Sequence, residues 1–205
     1  MSLFITVEGG EGGGKSTNMT YIADYLKAKG YEVVETREPG GTALGEKLRN
    51  LLLDKNISNM DCSTELLLMF AARAQHIAEV IKPALDEGKW VLCDRFTDAT
   101  YAYQGGGRNI PMERIAVLEN WVQGELRPDL TILLDIPVEE GMKRATLRGE
   151  KDRFEQEQIS FFERVRQSYL TMATRQSDRY RVVNAAQPLE CVQSDIKQVL
   201  EAVSR

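Results

Sequence analysis

Residues 9–16 carry the clearest chemical signal in the chain, since they read G-x-x-x-x-G-K-S, the pattern of a loop that binds nucleotide phosphates. Glycines at this density leave few Cβ atoms in the way of backbone N–H groups that curl around a triphosphate. Lys15 can then reach the β and γ phosphates, and the hydroxyl of Ser16 can bind Mg²⁺. The motif predicts nucleotide chemistry without identifying the phosphate acceptor.

A carboxylate and a guanidinium follow each other at Asp94 and Arg95, directly after an apolar run that begins at Trp90. Phosphoryl transfer needs a carboxylate near the metal and a cation across the transferred group. Asp94 suits a ligand of the metal or of its water shell, and Arg95 suits a contact with donor and acceptor phosphates. The alternative is an ordinary salt bridge at the end of a strand, but the phosphate-binding loop elsewhere in the chain favours the catalytic interpretation.

A basic stretch lies between residues 143 and 153. Like charges at helical spacing repel one another unless an anion compensates them. One interpretation is a solvated helix neutralised by neighbouring glutamates. The other is a lid that closes on ATP, excludes water and adds positive charge, because the phosphate-binding loop has no cation besides Lys15. The cations of this stretch are Lys143, Arg144, Arg148, Lys151 and Arg153.

Aromatic and polar side chains in two further segments could bind a nucleobase. Phe70 and Arg73 are three residues apart on a predicted helix, so a ring and a guanidinium share one face. The alternative is core packing, which is the commoner role of an aromatic side chain in an apolar run. Tyr103 and Gln104, in a glycine-rich segment, suit packing against a sugar and base. His76, the single histidine, is expected on the surface of a helix.

Alternating apolar runs and helical patterns predict the elements that position these residues. Five strands separated by helices imply an α/β fold with a mainly parallel sheet and helices on both faces. Ligands of such a sheet bind outside the carboxyl ends of the strands, where Gly9, Arg37 and Asp94 should emerge together. The strands are expected at residues 3–7, 31–36, 90–94, 130–135 and 180–183, and the helices at 16–29, 42–54, 64–87 and from near Pro111, Pro137 and Pro188.

Composition limits the classes of function. A chain of 205 residues with 42% hydrophobic residues suits one domain, which we place at residues 1–205. With 26 Lys and Arg against 31 Asp and Glu, the net charge of −5 gives no electrostatic reason to expect a nucleic acid or an acidic membrane as partner. The N-terminus lacks the pattern of a secretion signal, and no apolar run approaches the roughly 18 residues of a membrane span, so the cytoplasm is the expected compartment.

The cysteines are odd in number and widely spaced, at Cys62, Cys93 and Cys191. No C-x-x-C pair is present that would suggest zinc binding or redox chemistry. Cys93 lies in a predicted apolar strand, where a small buried side chain is expected.

Together, these motifs resemble those of the bacterial thymidylate kinase family. The resemblance implies a three-layer P-loop kinase fold with a small lid at about residues 143–155, and a homodimer. It also implies that ATP, with Mg²⁺, phosphorylates dTMP to dTDP by direct in-line transfer, which serves dTTP synthesis for DNA replication. The segments that carry the resemblance are residues 9–17, 37–42, 70–73, 94–96, 101–108 and 152–155.

The resemblance also implies roles for individual residues. ATP would contact Gly9, Gly10, Glu11, Gly12, Gly13, Gly14, Lys15, Ser16, Thr17 and Arg144, and Mg²⁺ would be held by Ser16 and Asp94. The acceptor dTMP would contact Glu38, Pro39, Arg49, Phe70, Arg73, Arg95, Thr100, Tyr103 and Gln104. Catalysis would depend on Lys15, Arg95, Arg148, Arg153 and Glu11.

Two of these assignments are choices between alternatives. Some members carry a catalytic arginine in the phosphate-binding loop, whereas this chain has glycines there, so the arginine is expected from the lid, as Arg148 or Arg153. The spacing of Phe70 and Arg73 is one residue shorter than in many members, which makes Met69 an alternative for the residue that stacks on the base. Phe70 is preferred because it alone has a ring.

Two other functions compete with this one. Another nucleoside monophosphate kinase, acting on dUMP, dCMP or a purine nucleotide, would share the phosphate-binding loop. A nucleotide-dependent switch or motor would also share it, but the chain has no N-K-x-D motif for guanine and has a set of arginines suited to a small acceptor. Release of ADP that depends on dTMP would distinguish a kinase from a switch or motor.

Overall fold

The computed structural model describes residues 2–57, 59–147 and 152–203. Five strands form one sheet in the order β2-β3-β1-β4-β5, and every pair of neighbours is parallel. The predicted parallel α/β sheet is therefore confirmed, with strand ends shifted by one or two residues. The strands are β1 (Phe4–Glu8), β2 (Val33–Arg37), β3 (Trp90–Asp94), β4 (Leu130–Asp135) and β5 (Tyr180–Asn184).

Helices connect the strands. Most start within two residues of the predicted positions, but the predicted helix at 64–87 is divided by a π-helical segment, Ile77–Ile81. The α-helices are α1 (Lys15–Ala28), α2 (Ala43–Leu53), α3 (Cys62–His76), α4 (Lys82–Asp86), α5 (Thr97–Thr100), α6 (Met112–Gln123), α7 (Val138–Thr146), α8 (Ile159–Arg175) and α9 (Leu189–Val203).

Two helical segments were not assigned from sequence. In α8, Phe161, Val165 and Tyr169 recur every four residues and all are buried, which is the pattern of an amphipathic helix. The glycine-rich Tyr101–Gly107 continues α5 as a π-helix. Its glycines allow α8 to approach closely, since a Cβ on Gly107 would lie 2.4 Å from the ring of Phe161.

The core lies on both faces of the sheet. Ile5 and Val7 of β1 pack with α1 and α9, whereas Phe4 points to the opposite face and packs with α4 and the π-helical segment before it. Cys93 is buried in this second cluster, as expected for a small apolar side chain. Within the described residues, no helix is long and apolar enough to cross a membrane.

Glu8 ends β1 as a buried carboxyl group directly before the phosphate-binding loop. Its two oxygens accept hydrogen bonds from the backbone N–H of Phe96, at 2.7 Å, and from the hydroxyl of Tyr169, at 2.7 Å. Burial, together with the nearby charge of Asp98, raises the pKa of Glu8 to about 8. The carboxyl group is thus largely protonated at neutral pH in the folded protein.

This raised pKa predicts a pH dependence of stability. Because the folded state holds a proton that the unfolded chain releases, the stabilisation is complete below the unfolded pKa and is lost as the pH rises towards about 8. We expect the free energy of unfolding of the wild type, relative to Glu8→Gln, to fall by up to about 1.4 kcal/mol per pH unit between about pH 5.5 and 7.5. Urea unfolding of both proteins across this range measures the difference, and parallel curves would contradict the prediction.

Candidate active site

A cavity of about 250 Å³ lies at the carboxyl ends of β1 and β3. The ends of three strands meet there, because Val7 of β1 and Arg37 of β2 both pair in register with Asp94 of β3. Of the residues expected in the site, the cavity is lined by Glu11, Gly12, Gly13, Gly14, Lys15, Ser16, Glu38, Pro39, Arg49, Arg73, Asp94, Arg95, Thr100, Tyr103 and Gln104.

Other predicted residues lie elsewhere among the described part of the chain. The cavity wall does not include Gly9, Gly10, Thr17, Phe70, Arg144 or Arg153, and Arg148 lies outside the described residues. The wall also contains Met69, the alternative to Phe70 for stacking on the base, and residues to which the sequence assigns no role, namely Leu53, Phe96, Ala99, Asp152, Phe154 and Glu155.

The phosphate-binding loop connects β1 to α1 and forms one end of the cavity. Gly12 has a φ of 71° and passes so close to α7 that a Cβ would lie 2.0 Å from the carbonyl oxygen of Gly141. Lys15 is buried, and its Nζ donates hydrogen bonds to the carbonyl oxygens of Gly9, at 3.1 Å, and Gly10, at 2.8 Å. Burial, and then the charge of Arg95, lower the pKa of Lys15. The lysine is therefore held inside the loop that would surround the phosphates.

Arg95 lies where the loop meets the rest of the cavity. Its NH2 group donates to Glu11 Oε1, at 2.6 Å, and to the hydroxyl of Tyr103, at 2.8 Å. The Tyr103 hydroxyl itself donates to Glu11 Oε1, at 2.7 Å, and burial raises the pKa of Tyr103. The Nε of Arg95 is buried without a hydrogen-bond partner among the described residues. One donor of this guanidinium thus remains for a ligand.

Ser16 and Asp94 offer oxygen ligands suited to a magnesium ion. Asp94 Oδ1 is buried and has no hydrogen-bond partner in the described part of the chain, and Ser16 lines the same cavity. Mg²⁺ is commonly held by one or two protein oxygens together with water and phosphate oxygens. The described residues contain no group of three or more His, Cys, Asp or Glu side chains that could hold a metal ion. This donor pair fits an ion that arrives with a nucleotide.

Arg73 of α3 occupies the other end of the cavity. Its Nε donates to Glu38 Oε2, at 2.8 Å, and its NH2 donates to Thr100 Oγ1, at 2.9 Å. The third nitrogen, NH1, is buried without a hydrogen-bond partner among the described residues. Only 2% of Arg73 is exposed, so this donor can be satisfied only by a group that enters the cavity.

Phe70 and Met69 have different positions. Phe70 is buried with Leu66 and Ile115, and the guanidinium carbon of Arg73 lies 4.7 Å from the centre of its ring. Met69 lines the cavity. The stacking role of Phe70 therefore stays a prediction. In the described structure its ring supports Arg73, and Met69 is the neighbour that faces the cavity.

Arg49 of α2 is half-buried and also lines the cavity. Its NH1 donates to the carbonyl oxygen of Pro39, at 2.9 Å, which links α2 to the turn after β2. Burial, and then the charges of Arg37 and Arg95, lower the pKa of Arg49. Arg49 and Arg95 both line this cavity, and their positive charges favour an anionic ligand in it.

The predicted lid is only partly described. Arg144 pairs with Glu140, at 2.5 Å, and donates to the carbonyl oxygen of Ala185, at 2.9 Å. Arg153 donates from Nε to the carbonyl oxygen of Leu52, at 2.8 Å, and its NH2 pairs with Glu65, at 2.7 Å. The contacts of Arg153 connect the lid segment to α2 and α3, whereas those of Arg144 stay within α7 and reach the segment after β5. The catalytic role of Arg153 or Arg148 stays a prediction.

Two buried residues of α3, Glu65 and His76, do not line the cavity but hydrogen-bond to residues that do. Glu65, 1% exposed, accepts hydrogen bonds from Gln104, at 2.9 Å, and from Arg108. His76 is fully buried, so the prediction that it lies on the helix surface is wrong. The polar residues Glu65, Arg73 and His76 lie on one face of α3, at spacings of eight and three residues. This pattern of polar side chains is the signal in the sequence that could have identified Glu65 and His76.

The cavity has a loop for the phosphates of a donor at one end and arginines for an anionic acceptor at the other. A phosphotransferase of the P-loop kinase class requires this arrangement. The family model described as thymidylate kinase matches residues 7–196. By this match, and by the similarities that follow, the chain belongs to the thymidylate kinase family, as the resemblance predicted.

Relatives of known identity are similar along nearly the whole chain. The thymidylate kinase of Pseudomonas entomophila (strain L48) is 61% identical over 201 residues, which cover 98% of this chain and 96% of the relative. That of Pseudomonas putida (strain W619) is also 61% identical over 201 residues, covering 98% and 97%. The crystal structure of thymidylate kinase from Ehrlichia chaffeensis matches with a TM-score of 0.79 at 35% identity and covers 98% of both chains.

Proposed function

We propose that this protein transfers the γ-phosphoryl group of ATP directly to the 5′-phosphate of dTMP, giving ADP and dTDP for DNA precursor synthesis. Family membership supports the reaction. The observation that supports the arrangement of the substrates is the position of Arg95, between the phosphate-binding loop and the arginine-lined end of the cavity, with one buried donor unused. A phosphate oxygen is already an anionic nucleophile, so positioning and charge stabilisation can account for catalysis.

On the donor side, backbone N–H groups of the loop and Lys15 bind the phosphates. The Lys15 contacts with two loop carbonyls orient its ammonium group inside the loop. Ser16 and Asp94 would hold Mg²⁺, which supplies charge neutralisation across the β and γ phosphates. Arg95 would use its free Nε to bind the phosphoryl group as its charge develops.

On the acceptor side, Arg73 provides the base-edge contact. A guanidinium carries donors only, so its unpaired NH1 suits the C4 carbonyl of thymine and not the C4 amino group of cytosine. Thr100 and Glu38 hold the other two nitrogens of Arg73 in place. Arg49 would bind the acceptor phosphate, and Tyr103 would crowd a 2′-hydroxyl and so favour a deoxyribose.

A coupled assay of ADP release with different acceptors tests this function. We expect turnover with dTMP, a lower kcat/KM with dUMP, which lacks one methyl group, and at least about 10²-fold lower kcat/KM with dCMP, which presents an amino group to Arg73. ADP release without an acceptor should be negligible. Preference for dGMP would contradict the pyrimidine assignment, and acceptor-independent hydrolysis would favour a switch or motor.

We further propose that the protein is a homodimer. Helix α3 packs against both α2 and α6, and these three helices carry six of the exposed large apolar side chains in the described residues. One of them, Trp121 of α6, is 81% exposed. Apolar surface of this kind is typical of an interface. Sedimentation equilibrium would measure the mass directly. The three cysteines are free thiols, which suits the reducing cytoplasm that we propose as its compartment.

A further inference from the structure

His76 lies at the end of α3 with none of its surface exposed, and both of its ring nitrogens are hydrogen-bonded. Nδ1 lies 2.9 Å from Glu38 Oε1, and Nε2 lies 2.6 Å from Thr36 Oγ1. The other oxygen of Glu38 accepts from Nε of Arg73, at 2.8 Å. A continuous chain of hydrogen bonds therefore runs from the end of β2, through the histidine ring, to the arginine that faces the cavity.

The polarity of this chain follows from the groups that form it. The Glu38 carboxylate, paired with Arg73, can only accept, so Nδ1 of His76 carries the proton and donates to it. Nε2, on the other side of the ring, is hydrogen-bonded to the hydroxyl of Thr36. Every polar atom of the His76 side chain is satisfied, and Glu38 has one oxygen bound to the histidine and the other to the arginine. Rotation of Glu38 would break both bonds.

His76 also supports the turn that follows β2. Gly41 packs against the imidazole so closely that a Cβ at this position would lie 2.6 Å from Cδ2 and Nε2 of the ring. The same turn contains Pro39, whose carbonyl oxygen accepts from Arg49. The histidine thus contacts both ends of a turn that binds Arg73 through Glu38 and Arg49 through Pro39.

We propose that His76 is a positioning residue for the phosphate acceptor. It fixes the rotamer of Glu38, and thereby holds Arg73 with its NH1 directed at the base, while its packing against Gly41 keeps the turn in place for Arg49. The donor site is separate, since neither ring nitrogen of His76 bonds to the phosphate-binding loop among the described residues. This inference rests on the proposed function, in which Arg73 and Arg49 contact dTMP.

The test is a comparison of steady-state constants for His76→Phe and His76→Asn. Phenylalanine keeps the ring volume and removes both hydrogen bonds, so the KM for dTMP should rise by about 10- to 30-fold, while the KM for ATP stays within about twofold. Asparagine places an amide donor near the position of Nδ1, so it should restore the KM for dTMP to within about threefold of wild type. Gln75→Ala, at the partly exposed neighbouring position on the same helix, whose side chain bonds to Glu79 and not to the Glu38 turn, is the matched control and should leave both constants unchanged.

If His76 contributed only to stability, its replacement would change quantities other than the KM for dTMP. Loss of fold would lower the active fraction and kcat without a selective change in the KM for dTMP. In an Arg73→Ala background, His76→Phe should add less than about threefold to the KM for dTMP, because the arginine on which the lost hydrogen bonds act is gone and the ring that packs against Gly41 is kept. Thr36→Val, which removes only the hydroxyl that bonds to Nε2, should raise the KM for dTMP in the same direction if His76→Phe fails to fold.

The outcomes separate this inference from the proposed function. If wild-type protein does not phosphorylate dTMP, the proposed function is wrong. If the wild type does so, but folded His76→Phe shows an unchanged KM for dTMP, equal increases for both substrates, or a full multiplicative effect in the Arg73→Ala background, the positioning role is overturned. Should His76→Phe not fold, an unchanged KM for dTMP in Thr36→Val overturns it.

Discussion

Replacing Lys15 by alanine is expected to lower kcat by about 10³-fold while leaving the fold intact. Within the loop sequence Lys15 is the one cation, and its Nζ already lies where two loop carbonyls converge. Without it, the loop would meet the charge that develops on the β and γ phosphates with backbone dipoles only, and Mg²⁺ and Arg95 would have to supply the remaining positive charge. Removal should not destabilise the protein strongly, because burial and the nearby Arg95 both lower the pKa of this lysine.

Lys27→Ala provides the matched control for this experiment. Lys27 lies on the same helix, α1, but is exposed and pairs with Glu35 on the surface. Its replacement removes a charge of the same sign without touching the cavity, so kcat should stay within about twofold of wild type. Steady-state kinetics at saturating ATP and dTMP, with thermal melts of each variant, give the comparison. A Lys15→Ala enzyme that keeps more than a tenth of the wild-type kcat would contradict the assignment.

The donor half of the site was predictable because its signal is contained in a short stretch of sequence. The glycines of residues 9–16 indicate a loop, and their lysine indicates that the loop binds phosphate. The apolar strand before them determines where the loop lies. Asp94 and Arg95 were found for the same reason, since they follow a buried strand that ends beside β1. Parallel strands bring their carboxyl ends to one edge, so separate local signals converge there without knowledge of side-chain contacts.

The acceptor half depends on pairings between distant segments, which one sequence does not display. As the single histidine, His76 has no histidine partner in the sequence and is predicted on the surface of a helix, but its partners in the structure are Thr36 and Glu38, some forty residues earlier. Glu65 was overlooked for the same reason, since its partners Gln104 and Arg153 belong to other elements. A buried polar group is satisfied by tertiary contacts, so its role becomes visible only when the fold is known.

The choice between Phe70 and Met69 illustrates another limit. Phe70 is the expected stacking residue because it has an aromatic ring. Successive residues of a helix point about 100° apart, however, so only one of Phe70 and Met69 can face a given ligand. Spacing relative to Arg73 does not decide between them, because residues three and four positions earlier are both its neighbours on the helix surface. Met69 lines the cavity, whereas Phe70 packs beneath the guanidinium. A flexible thioether can also cover a planar base.

Arg95→Ala is expected to lower kcat/KM for dTMP by about 10³-fold, a loss of about 4 kcal/mol in transition-state stabilisation. The guanidinium has one buried donor without a partner, and it bonds to both Glu11 and Tyr103, so it links the loop to the acceptor end. Its removal also leaves the Glu11 carboxylate facing the space of the transferred phosphoryl group. Repulsion of that group should add to the loss of attraction.

Two comparisons show whether geometry or charge accounts for this effect. Arg95→Lys keeps the charge but loses the planar fork, so it should recover only part of the activity. Millimolar guanidinium chloride should partly restore Arg95→Ala and have no effect on Arg95→Lys, because the added cation fits only the emptied space. Arg127→Ala, a partly exposed arginine paired with Glu119, controls for loss of a guanidinium elsewhere. If Arg95→Ala retained kcat/KM for dTMP within about twofold of wild type, under 0.5 kcal/mol, Arg95 would have no part in stabilising the transferred phosphoryl group.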